Sequence, residues 1–384
     1  MKKVLFIFFT IFCSQLIFSI SDVKKSFIRG NIVDKIEAVK EASENESLEL
    51  AFAGISFVTE YRPLLGQDRD LSALAIASIL KLPKNLTLSK QSEDILTHLC
   101  NIFTIFTDEN VKIAVLNKFD EFSNTETNQK IVPFINNYLI SNDTNKDLAV
   151  EKRAMEVVSK IGNTETFTII YKKWKNEVPE LKPTLDKALI SVSAKNLPQV
   201  VKIISESNIT EIHNYFILIS ESNEISKNFK AEIAENVLSA TINNKEDNIE
   251  NSIDSVALQI KVLQVISDSN WTKASKLAVR YFSIAKQEYK DKLMSETQFV
   301  QVINCITNLA STDSAKALSN YLAEMNIAVE NNKIPAKSVV LATINSLGIL
   351  GDKSAFDNLL YVTYLNYPED VKSNAREALA KLKW

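Results

Sequence analysis

The tetrapeptide NTET occurs twice in the chain, at Asn124–Thr127 and at Asn163–Thr166, 39 positions apart. The correspondence continues on both sides of the polar residues. Five apolar positions around the first copy fall opposite apolar positions around the second, namely Val115, Leu116, Phe119, Phe122 and Ile131 opposite Ala154, Met155, Val158, Ile161 and Ile170. This pattern predicts one unit of helix, turn and helix that is written twice.

Related stretches recur near the C-terminus. Val302–Leu322 aligns with Val340–Leu360 at a shift of 38 positions, and Lys160–Lys182 aligns with Ile349–Lys372 across the chain. The repeating unit is therefore about 38 to 40 residues long, the length of a helix pair in several repeat proteins.

The residues at the predicted turns fit this interpretation. Gly162 and Gly351 fall where a helix ends, a position that favours a left-handed backbone and therefore glycine. Asn163 and Asp352 follow them, and we expect both to cap the next helix.

Two stretches carry a competing signal. Thr166–Tyr171 and Tyr361–Leu365 are rich in β-branched and aromatic residues, which are typical of strands. Because each falls in the second helix of a predicted repeat, we interpret both as helical.

These repeats resemble the HEAT repeat, in the short bacterial form also seen in phycobilin lyase-type repeats. The match is best at Ser346–Leu382, fair at Val150–Val192 and at Val302–Leu322, and weaker at Val111–Leu139. The resemblance implies an all-α fold, an α-solenoid (superhelix) of roughly nine HEAT-like helix pairs with a long concave face. It identifies a scaffold and carries over no catalytic residue.

The strength of the repeat signal divides the chain into five predicted regions. We expect a signal peptide at 1–21, divergent helical repeats at 22–99, HEAT-like repeats at 100–195, divergent repeats with a polar linker at 196–255, and HEAT-like repeats at 256–384. The best candidate for the linker is Asn243–Ser252, and Trp384 is expected to close the last unit.

The first residues have the layout of a secretory signal. Lys2 and Lys3 precede the apolar run Val4–Phe18, and Ser19 and Ser21 place small residues before a cleavage point. We expect an exported, periplasmic protein cleaved after Ser21. The alternative is a membrane anchor formed by residues 4–20, which would be the only contact with a membrane.

The amino-acid composition gives no reason to expect a nucleic-acid partner, and it favours a helical fold. The chain has 44 Lys and Arg against 47 Asp and Glu, with no long run of one sign, so nothing predicts a nucleic-acid partner. Only 6 Gly and 8 Pro are present. Because sheet-rich folds need many tight turns that use these residues, the scarcity favours helices joined by short polar turns.

Few residues are candidates for chemistry. Cys100 and Cys305 are the cysteines that remain after cleavage, and the solenoid places them about five units apart, at roughly 10 Å per unit. A disulfide needs Cα atoms within about 7 Å, so we expect two buried thiols. His98 and His213 are too few to predict a metal site, and we predict no cofactor. A triad assembled in space stays open.

The second helices of HEAT-like arrays line the inner face. Tyr361 and Tyr364 lie on one side of such a helix, and Lys172 and Lys175 beside Trp174 are their counterparts in an earlier unit. Exposed aromatic residues next to cations favour protein recognition, and we predict these five as protein-binding residues. The alternative is that Tyr361 and Trp174 pack against the neighbouring unit.

We therefore expect a non-enzymatic protein-binding scaffold of the bacterial cell envelope, which recognises a protein partner through its concave face. The alternative is an enzyme or ligand-handling protein, by analogy with lyases built on similar repeats. Such an analogy rests on the fold alone.

Overall fold

The computed structural model describes residues 21–84, 90–122, 124, 126–141, 147–176, 178–243 and 249–383. This part of the chain forms twenty α-helices and three single 3-10 turns, with no β-strand and one isolated bridge, between Asp352 and Lys383. The predicted all-α fold is confirmed. The chain divides into two compact units, unit 1 at Met1–Val192 and unit 2 at Ser193–Trp384.

Unit 1 contains the first ten helices, of which the last ends at the unit boundary. They are α1 (Asp22–Arg29), α2 (Ile32–Glu41), α3 (Glu44–Leu65), α4 (Arg69–Lys81), α5 (Lys90–Ile105), α6 (Glu109–Glu121), α7 (Asn128–Ile140), α8 (Leu148–Ile161), α9 (Thr164–Lys175) and α10 (Lys182–Ser193).

Unit 2 contains the other ten helices. They are α11 (Leu197–Glu206), α12 (Ile209–Glu221), α13 (Lys227–Asn243), α14 (Ile249–Asp268), α15 (Ser275–Lys290), α16 (Glu296–Asn308), α17 (Thr312–Glu330), α18 (Lys337–Leu350), α19 (Phe356–Tyr364) and α20 (Glu369–Ala380). The 3-10 turns are Pro179–Leu181 in unit 1 and Thr272–Ala274 and Lys353–Ala355 in unit 2.

Both units are built from stacked helix pairs. In unit 1, α2, α4, α6 and α8 pack each on the next and form row A, while α3 packs on α5 and α7 on α9 in row B. In unit 2, row A is α12, α14, α16, α18 and α20, and row B is α11, α13, α15, α17 and α19. A helix whose main contacts are with its near neighbours along the chain is the mark of a solenoid, as predicted.

The two NTET copies make the same pair of local hydrogen bonds. In the first, Asn124 Oδ1 accepts a hydrogen bond from the Thr127 backbone N–H (2.9 Å), and Thr127 Oγ1 accepts one from the Asn124 N–H (3.1 Å). Asn163 and Thr166 make the same two bonds at 3.1 and 3.2 Å. Both threonines are fully buried. Thr125 lies outside the described residues.

The two turn glycines differ, and one prediction is wrong. Gly351 has φ +65°, the left-handed conformation expected at a helix end. Gly162 has φ −65° and ψ 163°, an extended backbone open to any residue. Position 162 has no room for a side chain, because a Cβ there would lie 2.5 Å from both the Val158 carbonyl oxygen and Thr166 Cγ2.

The predicted caps are confirmed. Asn163 caps α9, with its side-chain oxygen bonded to backbone N–H groups of the first turn. Asp352 Oδ1 accepts from the Ser354 N–H at 2.9 Å, which begins the 3-10 turn before α19. Both follow a row-A helix, so the polar turn between the two helices of a pair is held by its own side chains.

The two strand-like stretches lie in helices, as expected. Thr166–Tyr171 falls in α9 and residues 361–364 fall in α19. Phe167 and Ile170 are fully buried in unit 1. Burial of one helix face therefore outweighs the preference of β-branched and aromatic residues for strands.

Polar bonds also follow the repeat period. In unit 1, Lys160 Nζ contacts Asp120 Oδ2 (2.7 Å), which joins residues 40 positions apart on α8 and α6. In unit 2, Lys286 and Glu324 pair at 2.7 Å across 38 positions, between α15 and α17. Equivalent places on successive pairs are thus connected on the surface as well as in the core.

Several sequence predictions fall beyond the described residues. The apolar run of the signal, residues 244–248 of the linker candidate, and Trp384 lie outside them. Among the helices that are described, none combines the length and apolarity needed to cross a bilayer. The five predicted regions stay a prediction.

Candidate protein-binding surface

Trp174, one of the five predicted binding residues, is buried in unit 1. Its indole Nε1 donates a hydrogen bond to Asp186 Oδ1 at 2.7 Å, and Lys182 Nζ lies 4.8 Å from the indole centroid. A hydrogen bond from the N–H of a buried tryptophan holds its indole ring in one orientation. Trp174 therefore holds α9 against α10 instead of presenting its ring to a partner.

The two predicted lysines of α9 are exposed. Lys172 lies on the surface, and Lys175 places its Nζ 5.8 Å from the centroid of the buried Tyr171 ring. Lys173 between them turns inward and pairs with Glu151 at 2.7 Å. Unit 1 thus offers a cationic edge on α9 next to buried aromatic rings, and its role in binding stays a prediction.

The two predicted tyrosines lie on α19 in unit 2. Tyr364 is 74% exposed, and Tyr361 is partly exposed. The Tyr361 hydroxyl donates to the Glu330 carboxylate at the end of α17, a bond that raises the pKa of Tyr361. The lysines of α9 belong to unit 1 and these tyrosines to unit 2.

Two exposed isoleucines that sequence analysis missed lie at the end of α17 and just after it, where Glu330 bonds to Tyr361. Ile327 on α17 is exposed, and Ile334 in the following turn is 93% exposed. We call the set Ile327, Glu330, Ile334, Tyr361 and Tyr364 the tyrosine surface. Clustered exposed apolar residues of this kind mark interaction sites more often than isolated ones do.

A cavity of about 300 Å³ opens beside the tyrosine surface. It lies between the end of α17 and the start of α20, and its lining is mainly apolar: Val329, Ile334, Pro335, Val340, Tyr367 and Val371. At its rim Lys337 forms an ion pair with Asp370 at 2.5 Å. The volume is suited to one or two apolar side chains of a partner.

Buried hydrogen bonds fix the helices beneath this surface. The Tyr367 hydroxyl donates to Asn326 Oδ1 at 3.1 Å, and Asn326 Nδ2 donates to the Asn358 backbone oxygen at 3.0 Å. Burial raises the pKa of Tyr367 to about 12, so its hydroxyl keeps its proton at neutral pH. These bonds tie α17 to α19 and make the surface rigid before any partner arrives.

The residues with catalytic potential lie in ordinary packing environments. Cys100 and Cys305 are free thiols, and burial raises the pKa of each to about 11. A thiol with so high a pKa holds almost no thiolate at neutral pH. His98 Nδ1 lies 3.2 Å from Thr59 Oγ1, and burial lowers its pKa. In the described part of the chain no group of three or more His, Cys, Asp or Glu residues could hold a metal ion.

Comparison with known proteins does not identify a family. No family model matches the sequence, and no curated protein matches it. Among solved structures, the chain is similar to one described as "Computational Design of Self-Assembling Cyclic Protein Homooligomers", at 10% identity, covering 90% of this chain and 92% of that one. Its TM-score of 0.11 is too low to carry an argument.

Proposed function

We propose that this chain is a non-enzymatic scaffold of the cell envelope that binds another protein through the tyrosine surface of unit 2. The observation that carries the proposal is the exposure of Tyr364 and Ile334 on a rigid support beside an apolar cavity. Tyrosine is enriched among residues that dominate binding energy, since it buries a large ring and still offers a hydroxyl.

The bond between Tyr361 and Glu330 adds to this argument. It holds an exposed ring in one orientation, so less side-chain entropy is lost when a partner packs on it. The cationic edge of α9, Lys172 and Lys175, is a second contact area in this proposal.

We assign the helix pairs to the HEAT-like class on the residues that carry the resemblance. Gly351 and Asp352 occupy the turn of the best-matching unit, and they provide a left-handed helix end and a cap. Leu347 and Val371 on either side are buried, as the motif requires.

Export with cleavage after Ser21 places the scaffold in the periplasm in this proposal. The support is the layout of Lys2, Lys3 and the apolar run Val4–Phe18. Mass spectrometry of the protein isolated from its own cells tests it. A mature N-terminus at Asp22 is the expected result, and a full-length membrane-bound chain would contradict it.

Site-specific photo-crosslinking tests the binding surface. A crosslinker at Tyr364 should capture one protein in intact cells, and the double variant Tyr361→Ala/Tyr364→Ala should weaken the purified complex about tenfold or more. Ile140→Ala, a truncation of another exposed side chain, is the matched control and should have no effect. Unchanged binding by the double variant with intact helicity would remove this surface.

Ligand handling is the alternative, and the cavity beside Tyr367 is the observation in its favour. A metabolite screen by thermal shift distinguishes the two. A small molecule whose stabilising effect is lost when Val340→Phe fills the cavity would favour ligand handling over protein binding.

A further inference from the structure

The C-terminal end of α3 in unit 1 is an exposed apolar helix end. Helix α3 has 22 residues, against 10, 13 and 16 in its neighbours α2, α4 and α5, and residues 63 to 67 are all exposed. Leu64 is 76% exposed, and Tyr61 and Leu65 are exposed beside it. Because positions three and four apart share a helix face, these three side chains form one patch.

The patch adjoins a pair of stacked aromatic rings, and it ends where Gly66 terminates the helix. The Tyr61 ring stacks on Phe57 with centroids 4.4 Å apart. Gly66 has φ +70°, and its N–H bonds to the Arg62 backbone oxygen at 3.1 Å, which terminates the helix directly after Leu65. The apolar side chains are thus presented on a defined helix end.

Arg62 lies next to this patch, on the buried face of α3, and lacks an anionic partner among the described residues. The residue is only 8% exposed, and its guanidinium carbon lies 5.2 Å from the centroid of the Phe106 ring. No hydrogen bond or ion pair reaches its side chain from the described residues, and its Nε is wholly buried without an acceptor. Nε is the one nitrogen of this guanidinium that is both wholly buried and unpaired, so the two terminal nitrogens, which have no partner among the described residues either, retain some access to solvent.

The acidic residues near Arg62 in the sequence do not neutralise it. Asp68 is committed to capping α4, where Oδ1 accepts from the backbone N–H groups of Asp70 and Leu71 at 2.8 and 3.0 Å. Glu60 is exposed and forms no ion pair with Arg62. A buried arginine cannot escape its charge by losing a proton, so its missing partner has an energetic cost within the isolated chain.

We propose that the end of α3 binds a protein segment that presents a carboxylate flanked by aliphatic side chains. The guanidinium fork matches a carboxylate with two parallel hydrogen bonds. The aliphatic side chains of the segment cover Leu64 and Leu65, and their packing excludes water from the ion pair. Arg62 supplies specificity, and the surrounding apolar patch supplies contact area.

A protein segment fits this place better than a small molecule. Small ligands occupy concave sites that enclose most of their surface, whereas the end of α3 is a projecting helix terminus. Arginine and tyrosine are also among the residues enriched at the energetic centres of protein interfaces. This site is independent of the tyrosine surface of unit 2.

A library of random dodecapeptides selected on the full chain tests the proposal. We expect enriched peptides to contain Asp or Glu next to Leu, Ile or Phe. Each is then synthesised with its acid and with the matching amide. Arg62→Gln should weaken the acidic peptide about tenfold or more, and it should leave the amide peptide nearly unchanged. Arg69→Gln, at an exposed arginine nearby, is the control.

A second variant keeps the test decisive if Arg62→Gln does not fold. Leu64→Glu places a negative charge on an exposed position and should repel the acidic peptide, whereas Leu80→Glu, at an exposed position of α4, should not. Tyr361→Ala/Tyr364→Ala should leave this binding intact. Selection of no acidic peptide, or of peptides that bind equally to the Arg62 and Leu64 variants, overturns the proposal.

Discussion

Helices α3 and α17 both belong to row B, and both carry exposed aliphatic side chains at their C-terminal ends. At the end of α17, the buried Asn326 bonds to the Tyr367 hydroxyl and to the Asn358 backbone oxygen. At the end of α3, the buried Arg62 has the Phe106 ring beside it and no acceptor. The buried polar side chain near the helix end thus has hydrogen-bond partners in unit 2, whereas in unit 1 it has none among the described residues.

The difference lies in what the neighbouring helix pair supplies. Tyrosine brings a hydroxyl to a buried polar group, whereas phenylalanine brings only the face of its ring. Asn326 therefore stabilises the packing of α17 on α19, whereas the Arg62 guanidinium makes a cation–π contact with Phe106 and no hydrogen bond to the described residues. The comparison assigns Asn326 to the fold and Arg62 to recognition.

The largest effect is expected from Asn326→Ala. The change removes the acceptor of Tyr367 and leaves a cavity, so the free energy of unfolding should fall by about 3 kcal/mol. Urea unfolding followed by circular dichroism measures it. Asn331→Ala, at an exposed asparagine after the same helix, is the control. A loss below about 1 kcal/mol in Asn326→Ala would contradict the contrast between Asn326 and Arg62.

Unit 2 also contains an ionisable side chain without an oppositely charged partner in the described part of the chain. Unlike Arg62, this side chain loses its charge when it binds a proton. Burial raises the pKa of Glu288 to about 7, and its nearest polar partner is the Tyr281 hydroxyl at 3.5 Å. The folded state therefore binds more protons than the unfolded state between the ordinary glutamate pKa and about 7. Its contribution to stability is present at low pH and is lost as pH rises through 7.

Glu288→Gln should remove this dependence. At pH 8 the variant should be more stable than the wild type by on the order of 2 kcal/mol, and at pH 5 the two should be nearly equal. Thermal unfolding at the two pH values measures the difference. Glu324→Gln, at the exposed partner of Lys286, is the control. A pH-independent difference would show that Glu288 is ionised in the folded state.

A smaller effect is expected from Tyr367→Phe. This change leaves a ring without a hydroxyl beside Asn326, as Phe106 lies beside Arg62. The lost bond to Asn326 should lower the free energy of unfolding by about 1 kcal/mol. Tyr364→Phe, at a largely exposed ring, should change it by less than about 0.5 kcal/mol. Equal effects of the two changes would contradict the role of the Asn326 bond.

The smallest effect on stability is expected from Arg62→Met. Replacing a buried charge that has no partner with an apolar side chain of similar length should be neutral or stabilising by up to about 1 kcal/mol. Lys118→Met is the contrasting variant, because that buried lysine pairs with Glu121 at 2.6 Å and should not be replaced freely. A loss of more than about 2 kcal/mol in the free energy of unfolding of Arg62→Met would show that Arg62 stabilises the fold.

The sequence predicts the helix pairs well because they are written in local patterns. The NTET copies specify a turn whose hydrogen bonds lie within four residues, and Gly351 and Asp352 do the same for the last pair. Such short-range signals need no knowledge of the neighbouring helices. Gly162 was misinterpreted because its constraint is the space left by Thr166, which no backbone pattern reveals.

The candidate surfaces depend on contacts between helix pairs and are harder to predict. Trp174 was predicted to bind, yet it is buried because Asp186 on the next helix accepts its indole N–H. Ile327 and Arg62 were not singled out, since exposure and the lack of a partner depend on where each helix ends relative to its neighbours. Their signal in the sequence is weak: Ile327 is an apolar residue outside the buried stripe of α17, and Arg62 is a charged residue within the buried stripe of α3.

The bonds between Lys160 and Asp120 in unit 1 and between Lys286 and Glu324 in unit 2 join side chains one period apart. An insertion or deletion of one or two residues within a helix that carries one of these side chains would rotate that side chain away from its partner, whereas an insertion in a turn would leave the contact in place. Gain or loss of a complete pair would keep such contacts in register. The length of each helix in a stack is therefore more tightly constrained than the number of helix pairs.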